Sequence, residues 1–218
     1  MSEPVESVRE RLVQAAFDLF DEAGFDATTV DDIARRAGVG RTTFFRHFGS
    51  KEAAVFPEHD PLLDRIAQRL ASAAPATRDV AVAEASGLVL RHYLDEGERA
   101  RLRYRLVGSV PALRDREIAG QHRYERLFAD ALRERWPDDP DADLRAELMA
   151  AAVVTAHNHV LRRWLRGETT TPDLDLDRAL ALVTRQSSSE RATTTSVVVV
   201  ESTLDPQTLA DRVRSALK

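Results

Sequence analysis

Residues 28–48 run Thr28-Thr29-Val30-Asp31-Asp32-Ile33-Ala34-Arg35-Arg36-Ala37-Gly38-Val39-Gly40-Arg41-Thr42-Thr43-Phe44-Phe45-Arg46-His47-Phe48. A helix-turn-helix needs a small residue on its first helix, a glycine four positions later in the turn, and apolar residues that lock the second helix at its angle. Ala34, Gly38, Ile33, Val39 and Phe44 supply these. Phe44 and Phe48, four apart, share one helical face and are expected to point inward. Thr42, Phe45 and Arg46 fall on an outward arc, with Arg41 projecting from the first turn. An exposed phenylalanine among arginines is poorly explained as solvated surface. From Ile33 to Lys51 the chain carries Arg35, Arg36, Arg41, Arg46 and Lys51 and no carboxylate, which makes this window a candidate phosphate-facing surface.

Outward from this motif the pattern stays helical to about residue 187. Val5, Val8, Leu12, Ala15, Ala16 and Leu19 form one apolar stripe that Gly24 stops, and a hydroxyl cap with Asp31 and Asp32 in the first turn suits the start of the second helix. Ser50 is expected to cap a fourth helix, interrupted at Pro57-Glu58-His59-Asp60-Pro61 and resumed over about 62–72. Further helices are predicted at about 79–96, 99–109, 112–135, 141–166 and 174–185. The predicted fold is therefore all-α: a three-helix head over 1–52 and a bundle of about six helices over 53–187. Residues 188–218 form a tail in which Thr193–Val200 is β-prone and Leu209, Val213 and Leu217 mark a short helix. Such a strand either pairs with another chain or belongs to a flexible extension.

The composition narrows the function. Cysteine is absent, which excludes disulfides, thiolate metal sites and cysteine nucleophiles. The net charge of −5 argues against nonspecific coating of nucleic acid, although a local patch survives such averaging. No run of about 18 apolar residues is present, and Met1-Ser2-Glu3-Pro4 lacks the layout of a secretory leader, so a soluble cytoplasmic protein with no membrane partner is expected. Lysine occurs only at Lys51 and Lys218 among 31 cationic side chains, so Lys51 is a minority choice.

The stretch from Thr28 to Lys51, above all its closing Phe44-Phe45-Arg46-His47-Phe48-Gly49-Ser50-Lys51-Glu52, resembles the N-terminal signature of the TetR family of bacterial regulators. The motif resemblance covers about Val8–Val55. It implies binding to double-stranded operator DNA, with base-edge contacts from Arg41, Thr42 and Thr43 and phosphate contacts from Thr29, Phe45, His47 and Lys51. Thr28 and Arg46 complete the DNA-facing set. Two positions depart from the pattern: Phe45 stands where members often have tyrosine, and Gly40 where they often have serine. The resemblance further implies a two-fold dimer through the last two helices of the body, where Leu148, Ala151, Ala152 and Thr155 suit close packing. Half-sites would then lie roughly 34–36 Å apart on a near-palindromic operator. A repressor released by a small apolar ligand is the expected behaviour.

Arg101 to Arg105, Pro111 to Ile118 and His122 to Phe128 resemble a TetR subgroup that senses acyl-CoA-like ligands and includes mycofactocin-associated regulators. The candidate ligand residues are Arg101, Arg105, Leu106, Val110, Tyr124, Leu127, Phe128, Val154 and His157: cations for phosphates, apolar side chains for an acyl chain. The same arginines also read as a solvated face partly paired with Asp95, Glu96, Glu98 and Glu117. His157-Asn158-His159 invites a metal or catalytic reading, but histidines two apart on a helix diverge and neither has a carboxylate at i+3 or i+4. No cofactor, metal or catalytic residue is expected. The alternatives are a regulator whose body binds a protein, and an enzyme using His157 or His159.

Overall fold

The computed structural model of the protein describes residues 7–57, 59–74, 77–136 and 138–189. The expected strand and helix of the tail, and Val5 of the first apolar stripe, lie outside them. Among the described residues the regular structure is entirely helical.

Helix α1 spans Val8–Ala23, α2 Val30–Arg36 and α3 Arg41–His47. Local chemistry sets their ends. Ser7 Oγ accepts from the Glu10 amide at 3.1 Å while the Glu10 carboxylate accepts from the Ser7 amide at 2.8 Å, so two amides left over at the start of α1 are satisfied together. Thr29 and Asp32 repeat this arrangement at α2, so the hydroxyl that caps it is that of Thr29. Gly24 closes α1 at φ +84°, and Gly38 makes the turn between α2 and α3 at φ +69°, a region that penalises any Cβ. Gly40 begins α3 without a side-chain cap.

Beyond α3 the chain departs from expectation. Residues Glu52–Val55 form a short 3-10 helix with no side-chain cap, so Ser50 does not start a regular helix. Helix α4 then covers His59–Ala71, and Pro61 sits in its first turn, where no backbone N–H is needed. Phe56 and Pro57, between the two, belong to neither helix. Helices α5 (Arg78–Glu96), α6 (Glu98–Ser109), α7 (Pro111–Arg133), α8 (Ala142–Leu165) and α9 (Pro172–Ser189) complete the body.

Two apolar clusters hold these helices. One gathers Leu62, Ile66, Leu90, Phe128, Leu132, Val153, Val160 and Leu180 from α4, α5, α7, α8 and α9. The other contains Leu12, Phe17, Phe20, Ile33, Phe44, Phe48 and Val55, and it also includes Leu106 and Val107 of α6 and Leu113 of α7. The helix-turn-helix therefore shares its core with the body.

Candidate nucleic-acid interface and internal cavity

Helix α3 turns Phe44 fully inward and leaves Arg41, Thr42, Phe45, Arg46 and His47 exposed, with Thr43 half-buried. Phe45 is 44% exposed, an unusual state for so large an apolar side chain. Its ring meets Phe44 edge-on at 5.5 Å, and the Arg41 guanidinium lies 5.4 Å from its centre. Arg41 also pairs with Asp31 at 2.9 Å, Arg35 with Asp32 at 2.9 Å and Arg36 with Glu22 at 2.7 Å. The window without carboxylates is supplied with them in space by α1 and the first turn of α2. These pairs are exposed, so exchanging Arg41 from Asp31 to DNA costs little.

Thr28 departs from the DNA-facing role expected of it. It is buried, and its hydroxyl donates to the carbonyls of Gly24 at 2.8 Å and Leu19 at 3.2 Å, which shapes the loop between α1 and α2. Lys51 is likewise engaged: its ammonium donates to the carbonyls of Phe25 at 2.6 Å and Thr28 at 2.9 Å and rests 4.1 Å from the Phe25 ring centre. One of its three N–H groups is left for a phosphate. Thr29, exposed at the start of α2, has its hydroxyl on Asp32 at 2.5 Å.

Inside the body, α5, α6, α7 and α8 enclose a cavity of about 90 Å³. Its walls are mainly apolar, from Val89, Phe128, Val153, Val154 and Leu161, with Tyr93, Tyr104 and Tyr124 among them. Of the expected ligand residues, Tyr124, Phe128, Val154 and His157 line it. The other five do not. Leu106 and Val110 face the N-terminal core, Leu127 packs on the body core, and Arg105 is exposed opposite Asp21. Arg101 lies over the Trp164 ring at 4.8 Å. Residues 101, 103 and 105 cannot share a helical face, and it is Arg103 that turns inward.

Arg103 was not among the expected ligand residues. It is 5% exposed and lines the cavity, gripping Glu96 with two hydrogen bonds of 2.5 and 2.7 Å and donating through Nε to the Val55 carbonyl at 2.6 Å. Burial raises the Glu96 carboxyl, but the hydrogen bonds and charge of Arg103 outweigh it and hold the group below its ordinary value. Phe56, next to Val55, lines the cavity as well. Cavity wall and N-terminal core are thus joined through one guanidinium. His157 is 6% exposed, and burial lowers it to about 4, against a smaller opposing effect of its hydrogen bond to Asn158, so the ring is neutral near pH 7.

These features have counterparts in known proteins. Residues 12–55 match the family model for bacterial regulatory proteins of the tetR family, and residues 77–188, just over half of the chain, match the MftR C-terminal domain. The chain belongs to the TetR family. Over 92 residues it is 39% identical to the HTH-type transcriptional repressor Rv3405c of Mycobacterium tuberculosis, covering 42% of this chain and 49% of that one. The chain thus spans about half the length of that curated relative. It is 28% identical to MftR of Mycobacterium tuberculosis over 162 residues, 70% of this chain and 77% of the other. In fold it is similar to SmeT in complex with triclosan, with a TM-score of 0.59 at 20% identity over 91% of this chain and 98% of that one. Its body is of the MftR type. Among the described residues no helix is long and apolar enough to cross a membrane, and no group of three potential ligands could hold a metal ion.

Proposed function

We propose that this TetR-family protein is a dimeric repressor that binds operator DNA through α3 and is released when a small, largely apolar molecule enters the cavity. The observation that carries this reading is Arg103, whose guanidinium lines the cavity and at the same time holds the Val55 carbonyl in the core of the helix-turn-helix. A ligand that displaces Arg103 or Phe56 acts on the segment leading into the DNA-binding helices. It shifts DNA affinity by its differential binding to the two states and by no more than that.

Dimerisation is supported by α8 and α9. Leu144, Leu148, Ala151, Thr155 and His159 recur at three and four residues along an exposed face of α8, with Leu148 63% exposed, and Leu182 is exposed on α9. DNA binding engages Arg41, Thr42 and Thr43 at base edges and Phe45, Arg46, His47 and Thr29 along the backbone, with Phe45 in apolar contact with sugar.

The cavity favours a compact ligand over an acyl-CoA. The arginine in the cavity wall, Arg103, is buried on Glu96, and Arg101 covers Trp164. An acyl-CoA would have to break these contacts.

Footprinting on DNA upstream of the protein's own gene tests the reading. A protected near-palindrome whose protection is lost with the variant Arg41→Ala is the expected result. No protected sequence with the dimeric protein would refute it.

A further inference from the structure

The cavity wall includes a histidine with a buried polar atom whose hydrogen-bonding role is dictated from a distance. His157 Nε2 is buried and has no hydrogen-bond partner, and His157 lines the cavity. A neutral imidazole carries one hydrogen and one lone pair, and the neighbours of the other nitrogen decide which is which.

Three side chains settle this for His157. The outer end of the chain is Glu125, whose carboxyl is held below its ordinary value first by a hydrogen bond from Gln121, so it is ionised and only accepts. Gln121 must therefore present its amide N–H, and Nε2 donates to Glu125 Oε1 at 3.0 Å. That leaves Gln121 Oε1 to accept from Asn158 Nδ2 at 3.0 Å. Asn158 is consequently turned with Oδ1 toward His157 Nδ1 at 3.2 Å. An amide oxygen accepts, so Nδ1 holds the hydrogen and Nε2 is a bare lone pair. The direction of every bond follows from the carboxylate at the start, and the relay crosses from α7 to α8.

We propose that the cavity selects for a hydrogen-bond donor: its effector is an uncharged, mainly apolar molecule that carries a hydroxyl or N–H group and donates it to His157 Nε2. This deepens the reading of the cavity as the effector site and rests on it. The surrounding Val89, Phe128, Val153, Val154 and Leu161 take the apolar part. A carbonyl or ether oxygen placed at Nε2 sets lone pair against lone pair. A carboxylate fares worse, since the buried neutral ring offers it no hydrogen at that atom and the guanidinium in the wall, Arg103, is already taken by Glu96. A metal is disfavoured because no further histidine, cysteine or carboxylate joins His157 in a three-ligand group among the described residues.

The test uses the full-length protein and three probes of one shape: 4-butylphenol, 4-butylanisole and 4-butylbenzoate. Long-range ¹H–¹⁵N spectra of histidine-labelled protein read the tautomer, calorimetry reads affinity, and fluorescence anisotropy on its footprinted operator is followed in parallel. The expected results are a hydrogen on Nδ1 of His157, an Nε2 resonance that moves with the phenol alone, and phenol affinity about tenfold above anisole and benzoate. In His157→Phe the phenol and the anisole should bind within about threefold of each other. A hydrogen found on Nε2 overturns the proposal without recourse to any variant. So does equal or tighter binding of the anisole or benzoate, or no binding of any probe by protein that still binds its operator. Failure to bind any operator would instead overturn the regulator reading.

Discussion

Replacing Arg103 by methionine isolates the junction between cavity and N-terminal core. Methionine keeps most of the length and apolar volume but removes three hydrogen bonds, two to Glu96 and one to the Val55 carbonyl. The Arg103 and Glu96 side chains are only 6% and 15% exposed, so the variant leaves a carboxylate desolvated and unpaired. Breaking one half of a buried ion pair costs about 3–5 kcal/mol. For a chain of this size each kcal/mol moves the melting temperature by roughly 2–4 °C, which gives a fall on the order of 6–20 °C. The pH dependence identifies the cause. In the parent protein Glu96 sits below its ordinary value, so it contributes stability above the unfolded carboxyl value, and that stability is lost as pH falls through the folded one. In the variant burial acts without Arg103 and the folded value lies above the unfolded one, so the penalty is present near pH 7 and eases as the acid protonates. Circular-dichroism melts from pH 7 down to about pH 4.5, near the unfolded Glu value, should therefore show the gap between parent and variant narrowing. Adding Glu96→Gln should recover about half of the loss or more. A variant that melts within about 2 °C of the parent at pH 7, or a gap that widens on acidification, refutes the reasoning.

Lys51→Met should lower the melting temperature by on the order of 4–12 °C in the absence of DNA, since charge-assisted bonds to the Phe25 and Thr28 carbonyls are lost; an unchanged melt with weaker DNA binding would return Lys51 to a purely phosphate-binding role. Arg41→Ala should cost about 1–3 kcal/mol on the operator and little on random DNA, measured by anisotropy competition, whereas Asp31→Asn should leave stability within about 0.5 kcal/mol because the pair it breaks is exposed. Gly38→Ala should cost about 1–2 kcal/mol in denaturant unfolding from backbone strain alone, because no atom lies within 4 Å of the added Cβ, and Gly38→Asn should cost less.

Much of the fold was legible because helix ends announce themselves in short patterns. Thr29 with Asp32, Gly24, Gly38 and Pro111 mark boundaries by local chemistry, and the expected helices of the body end within a few residues of those observed. The 3-10 helix at Glu52–Val55 was not legible, since its tighter winding follows from burying Ala54 and Val55 against α1 and α6, a tertiary demand. The same limit governs the sites. The inward and outward residues of α3 follow from periodicity within one helix, but the carboxylates that meet Arg36 and Arg41 come from Glu22 and Asp31, 14 and 10 residues away. In α6 the abundance of arginine drew attention to Arg101 and Arg105, while the inward position belongs to Arg103, whose partner Glu96 lies on the neighbouring α5 and whose other partner is a backbone carbonyl 48 residues away. Asn158 stood in plain view between two histidines, yet its role depends on Gln121, which only the packing of α7 on α8 brings to it.

The sharing of Leu106, Val107 and Leu113 between the body and the N-terminal core bears on how such proteins are recombined. A graft that moves residues up to Phe56 onto a foreign body severs those contacts and leaves Phe17, Phe44 and Val55 against whatever the new partner offers. A working chimera must transplant the matching faces of α6 and α7 as well, so the unit that can be exchanged intact is discontinuous in sequence. The N-terminal head and the cavity-bearing body of this chain are then less free to be exchanged separately than a boundary drawn after the helix-turn-helix suggests.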